Sequence, residues 1–191
     1  MSMKEAFDIY FEKMKKSCLE KYGGNPNKPI IRKFQDVGFY DLETMEKHKM
    51  AGNKGYADWK PILQNMPVSF KPIESKLGIT LHPQIKSFLS TYWFLALRGS
   101  LNGADIGIDA ITPDIDFLQY ISYRFNNEDF NYLENNDFIM IGSSVQIGPI
   151  DSYLLEVNNN TGEVFAIEVM DKKSVKLADS IEELLINMEG Y

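Results

Sequence analysis

The residues able to do chemistry are few, and most are carboxylic acids. Between Leu101 and Asp171 the chain carries thirteen Asp and Glu against one base, Arg124, a net −12. Residues 1–100 balance at +6 and the last twenty at −1, so the overall −7 belongs to one region. Clustered carboxylates can do acid–base work, hold a hard divalent cation or dock a basic partner. Asp114/Asp116 and Glu128/Asp129 are close pairs. In so acid-rich a stretch such pairs arise by chance, and spacing alone selects no glycosidase pair. Asp105, Asp109 and the Asp114/Asp116 pair could together hold calcium, but the D-x-D-x-D-G loop is absent. One cysteine and two histidines, Cys18, His48 and His82, fall short of the four ligands of structural zinc. His82 precedes Pro83 and reads as a helix start. His48 sits in a polar stretch and reads as solvated. Cys18 lies on an apolar stripe and reads as a buried thiol, not a nucleophile. Gly99-Ser100-Leu101-Asn102-Gly103 lacks the Lys-Ser/Thr of a phosphate loop, and neither G-x-S-x-G nor H-E-x-x-H occurs. The expectation is a non-enzyme with no catalytic residue, no cofactor and no metal.

What remains is charge. A folded surface that concentrates negative charge attracts basic partners and speeds their encounter. Asp105, Asp109, Asp114, Asp116, Glu128 and Asp129 form the candidate partner-binding face. The alternative is that these acids scatter over several faces and serve solubility. Strand register decides between the two, and sequence leaves register open. Replacing Asp105, Asp109 and Asp114 with Asn is expected to slow association and leave folding nearly intact. A pI near 4.9 argues against nucleic acid, whose phosphates need a basic face. No apolar run is long enough to span a bilayer, and Met1 to Asp8 shows no signal-peptide core. A single cysteine forms no internal disulfide, which fits a reducing cytoplasm.

The elements that must position these acids can be read in part. The chain has 191 residues, 44% of them apolar, enough for a single domain spanning 1–191 with a real core. Ser2 and Glu5 have capping-box spacing. Met3, Ala6, Phe7, Tyr10, Phe11, Met14, Cys18 and Tyr22 then recur at helical intervals until Gly23-Gly24. Asn25 to Phe70 is irregular, with short strands expected over Ile30–Phe34 and Val37–Leu42, an exposed loop over Glu46–Tyr56, and Trp59 as a buried anchor. Two helices follow, over 72–77 and from Pro83. Trp93–Leu97 reads as a strand, and Asn102-Gly103 signals a hairpin. Ile106, Ile108 and Ala110 alternate with Asp105, Gly107 and Asp109, which predicts a strand with one acidic face. Thr112-Pro113-Asp114 reads as a helix start. Phe138–Gly142, Tyr153–Val157 and Val164–Val169 are strands, the last two joined through Asn158–Gly162. A closing helix starts at Ser180, with Glu183 completing a second capping box. The order predicts an α+β fold, a mainly antiparallel, mixed sheet with helices packed against it.

Several of these stretches, read together and in order, resemble the Syd family, within the SUKH superfamily of immunity-type proteins. They are Trp59-Lys60-Pro61, Ile73–Ile79 with Pro83–Thr91, Phe138–Gly142, Leu155–Val164, and Leu177–Leu185. Asn25–Ala57, Gly99–Asp109 and Asn131–Asp137 do not line up with the family. The resemblance implies a concave acidic face that binds protein. The partner it implies is the SecY translocon, met through basic cytosolic loops, which gives a cytoplasmic protein peripheral to the inner membrane. A SUKH-type immunity protein that covers a toxin, such as a nuclease, is the alternative. A metal-dependent or acid-cluster enzyme is the third reading.

Overall fold

A capping box starts the first helix, α1 (Met3–Tyr22): Ser2 Oγ accepts from the Glu5 amide at 3.3 Å, and Glu5 Oε2 accepts from the Ser2 amide at 2.8 Å. Gly23 ends it at φ +66°, where a Cβ would strain the backbone. The predicted stripe is the buried face from Met3 to Cys18, whereas Tyr22, at the helix end, is exposed. Phe7 sits at its centre, with ring centroids 5.3–5.8 Å from Phe11, Phe88, Tyr92 and Phe94. The computed structural model describes residues 1–125, 137–170 and 173–191.

The irregular segment departs from expectation. Its strands are β1 (Asn27–Pro29), β2 (Tyr40–Asp41) and β3 (Tyr56–Trp59), an antiparallel sheet in the order β1-β3-β2. Ile30–Phe34 is not a strand. The Phe34 amide donates to Ile31 O at 2.9 Å and opens a 3-10 turn over Arg32–Val37. That turn buries Phe34 against Phe39, so side-chain burial overrides the β-branched pair. The expected loop after Glu46 begins as a short helix, α2 (Met45–Met50), packed on β3.

β4 (Ile62–Leu63) pairs with β5 (Tyr92–Trp93), and between them run α3 (Lys71–Leu77) and α4 (Pro83–Thr91). β6 (Leu97–Leu101) and β7 (Ala104–Ile108) form the predicted hairpin, with Asn102 at φ +51° and Gly103 at φ +83°. The next helix, α5 (Phe117–Phe125), starts later than predicted. Thr112 is spent on a turn, donating its hydroxyl to Asp114 at 2.7 Å, and Asp116 caps the helix instead. β8 (Phe138–Ile147), β9 (Ile150–Asn158), β10 (Val164–Glu168), β11 (Ser174–Ala178), α6 (Ile181–Asn187) and β12 (Glu189–Gly190) complete the chain. Ser180 Oγ accepts from the Glu183 amide as expected.

The large sheet has seven strands in the order β11-β10-β9-β8-β7-β6-β12, and every observed pairing is antiparallel. The fold is α+β. One apolar cluster joins α1, α4 and α6 to a single face of this sheet, through Leu97, Ile106, Ile108, Ile139, Val145, Leu155 and Val164. Gly142 sits where β8 shifts register against β9. A Cβ there would lie 2.1 Å from the backbone oxygen of Gly107, and no rotamer change relieves a clash with backbone. Gly142→Ala is therefore expected to cost about 3 kcal/mol. A urea transition with a lower midpoint and unchanged slope checks this, and an unmoved midpoint contradicts it.

Candidate functional site

Alternation along β7 sends Ile106 and Ile108 into the core and leaves Asp105 and Asp109 on the other face. Asp105 is exposed, opposite Ser100 and Gln146, and accepts a 3.2 Å hydrogen bond from the Tyr191 hydroxyl. Asp109 is fully engaged. Arg124 donates to its Oδ2 at 2.8 Å, and the Ser143 amide and hydroxyl donate to its Oδ1 at 3.2 and 2.8 Å. The Arg124 guanidinium also stacks 3.7 Å above the Tyr120 ring. Asp109 thus ties α5 to the sheet and projects little charge. The expectation that its replacement spares folding is corrected: Asp109→Asn leaves a guanidinium only 15% exposed without its counter-ion.

Asp114 is exposed but pairs with Lys33 at 2.5 Å and accepts from Thr112. These two hydrogen bonds, Lys33 first, hold its carboxyl below the usual range. Asp116 is exposed, accepts from the Leu118 and Gln119 amides at 2.9 and 3.1 Å, and has no cationic partner among the described residues. Glu128 and Asp129 lie outside the described residues. The structure therefore brings Asp105 and Asp109 to one sheet face, sets Asp114 and Asp116 at the head of α5, and ties two of the four to bases.

Other acids of the stretch are spent differently. Glu156 stands opposite Met140 and Phe165, on a second buried face of the sheet, and is 5% exposed. Burial raises its pKa to about 7. Glu163 is held low by Lys176 and then by Thr161, at the β10–β11 edge. The formal −12 overstates the charge this surface presents.

The histidines separate. His82 caps α4 as expected, its Nδ1 accepting from the Gln84 amide at 3.4 Å. His48 is not solvated. It is 5% exposed, with Nε2 2.6 Å from Asp58 Oδ1, because α2 folds over β3. Cys18 is buried, and burial pushes its thiol up, away from nucleophilic thiolate. Among the described residues no group of three His, Cys, Asp or Glu could hold a metal ion. No described helix is long and apolar enough to cross a membrane.

Sequence reasoning missed a groove of about 860 Å³ between α1 and the small sheet. Phe11, Tyr40, Trp59 and Tyr92 line it with Asp8 and Asp58. It is assembled from residues far apart in the chain, so no local spacing announces it; in the sequence Trp59 reads only as a buried anchor. Trp59 is indeed 5% exposed, but its indole N–H has no acceptor among the described residues.

The sequence model of the Syd protein (SUKH-2) family matches residues 41–190. Protein Syd of Shewanella pealeana is 24% identical over 97% of this chain and 81% of its own length. Protein Syd of Colwellia psychrerythraea is 26% identical over 77% of this chain and 67% of its own. Protein Syd of Alteromonas mediterranea is 27% identical over 67% of this chain and 69% of its own. A match over more than half the chain decides the matter: the chain belongs to the Syd protein (SUKH-2) family.

Proposed function

We propose that this protein is a non-enzymatic, single-domain docking protein whose acidic surface binds the basic cytosolic loops of the SecY translocon. It acts from the cytoplasm and sits peripherally on the inner membrane through that contact. One observation carries the reading: the chain is a Syd-family protein in which Asp105 and Asp116 are exposed carboxylates without a cationic partner among the described residues. Cytosolic loops of membrane proteins carry excess Lys and Arg, so the signs match.

The test neutralises the acids that remain available. Asp105→Asn with Asp116→Asn is expected to leave the thermal midpoint unchanged, because Asn also caps a helix well. Association with SecY-bearing membranes should slow about threefold or more, with a shallower salt dependence. Asp109→Asn should do the reverse, costing about 2 kcal/mol of stability with less effect on the salt slope. Equal rates and equal salt slopes in the double variant and the parent would remove the acidic surface from the account.

A further inference from the structure

A second cavity, of about 350 Å³, opens beside Trp59 on the α1 side of the small sheet. Cys18 of α1, Asn27 and Lys28 of β1, Lys47 of α2, Asn53 and Trp59 contribute to its wall. No carboxylate side chain lines it. The register places Lys28 opposite Ala57, so Lys28 and Trp59 share a face of the sheet. Lys28 is half-buried, and its ammonium has no ion pair or hydrogen bond among the described residues. Burial lowers its pKa, and the nearby charge of Arg98 lowers it further. The Lys47 ammonium likewise has no such partner. It rests against the Gly24 backbone, where an added Cβ would meet Nζ at 3.2 Å. Trp59 contributes its side chain to the wall.

Lys28 bears the cost of this arrangement. A half-buried ammonium is costly until a hydrogen-bond acceptor meets it, and a charged acceptor meets it best. The geometry points to a binding site for a small oxyanion, a free carboxylate or phosphate compound, held by Lys28 and Lys47 beside the Trp59 ring. The volume suits a small molecule, not a folded partner. The site is opposite in charge to the acidic residues, and Tyr191, which also lines it, donates its hydroxyl to Asp105.

Trp59 is its own reporter. The chain has two tryptophans, so Trp93→Phe leaves Trp59 alone. This variant is titrated with inorganic phosphate and, separately, with succinate, at ionic strength held constant with chloride. A saturable change in Trp59 emission with either anion is expected. Lys28→Met should weaken it about tenfold, the worth of one charge-assisted hydrogen bond. Lys47→Met should weaken it severalfold, and Lys76→Met, an exposed control, not at all. Circular dichroism should show Lys28→Met folded, with an unchanged or higher melting temperature, because it removes an unpaired half-buried charge. Lys47→Met, at an exposed residue, keeps the test open if Lys28→Met fails to fold. A non-saturating response to both anions, or equal affinity in the lysine variants that fold, would overturn the site.

Discussion

Phe7→Ala is expected to destabilise the protein by about 3–5 kcal/mol, a large part of the stability of a domain this size. Phe7 is fully buried and, among the described residues, is the one ring that touches Phe11, Phe88, Tyr92 and Phe94 together. Its loss removes buried apolar area and leaves a cavity at the junction of α1 with α4 and β5 that the surrounding rings cannot fill by rotamer change. α1 also forms one wall of both cavities beside Trp59, so the loss should loosen the small sheet as well. Urea unfolding measures the cost. A drop below about 1 kcal/mol would mean the rings repack, and that α1 is not the keystone of the core.

Glu156→Gln is expected to act in the opposite direction, and only at high pH. The carboxyl ordinarily titrates at 4.5, and burial in the folded protein raises it to about 7. Stability from the neutral form is therefore fully present below 4.5 and lost as pH rises through 7. Above that the buried carboxylate burdens the fold by roughly 3 kcal/mol. Glutamine keeps the shape and never ionises. The variant should gain roughly 2–3 kcal/mol over the parent at pH 8 and close to nothing at pH 4. Paired urea titrations at the two pH values check this. A stability difference that does not change with pH would show that Glu156 reaches water.

Local chemistry made much of the fold legible. The Ser2 and Ser180 caps, the α1 stripe, the Asn102-Gly103 turn and the Asn158–Gly162 hairpin are each set by a few neighbouring residues. The misses depend on distant partners. β8 runs on past Gly142-Ser143-Ser144, a polar stretch that reads as a break, because register shifts let it continue beside β7 and β9. β11 is mostly exposed and β12 is two residues long, so neither has a pattern of its own. His48 is buried against a hydrogen-bond partner, Asp58, on another element. The excess of acids was legible in the sequence, but which of them stay exposed and unpaired was legible only in part. Alternation put Asp105 outward, but no spacing reveals that Lys33 reaches Asp114 across 81 residues or that Arg124 holds Asp109. Glu156 was miscounted for a related reason. Leu154-Leu155-Glu156-Val157 carries apolar residues at both parities, the mark of a strand covered on both faces, where an acid cannot serve the surface.

The measurement that bears most directly on the docking role is co-sedimentation of the purified protein with vesicles that carry SecY, beside vesicles of the same lipid without it, at low and high salt. The account predicts SecY-dependent binding at low salt, lost at high salt and weakened by Asp105→Asn with Asp116→Asn. Absence of SecY-dependent binding at low salt would contradict it, and a soluble basic protein held through high salt would point to toxin neutralisation instead.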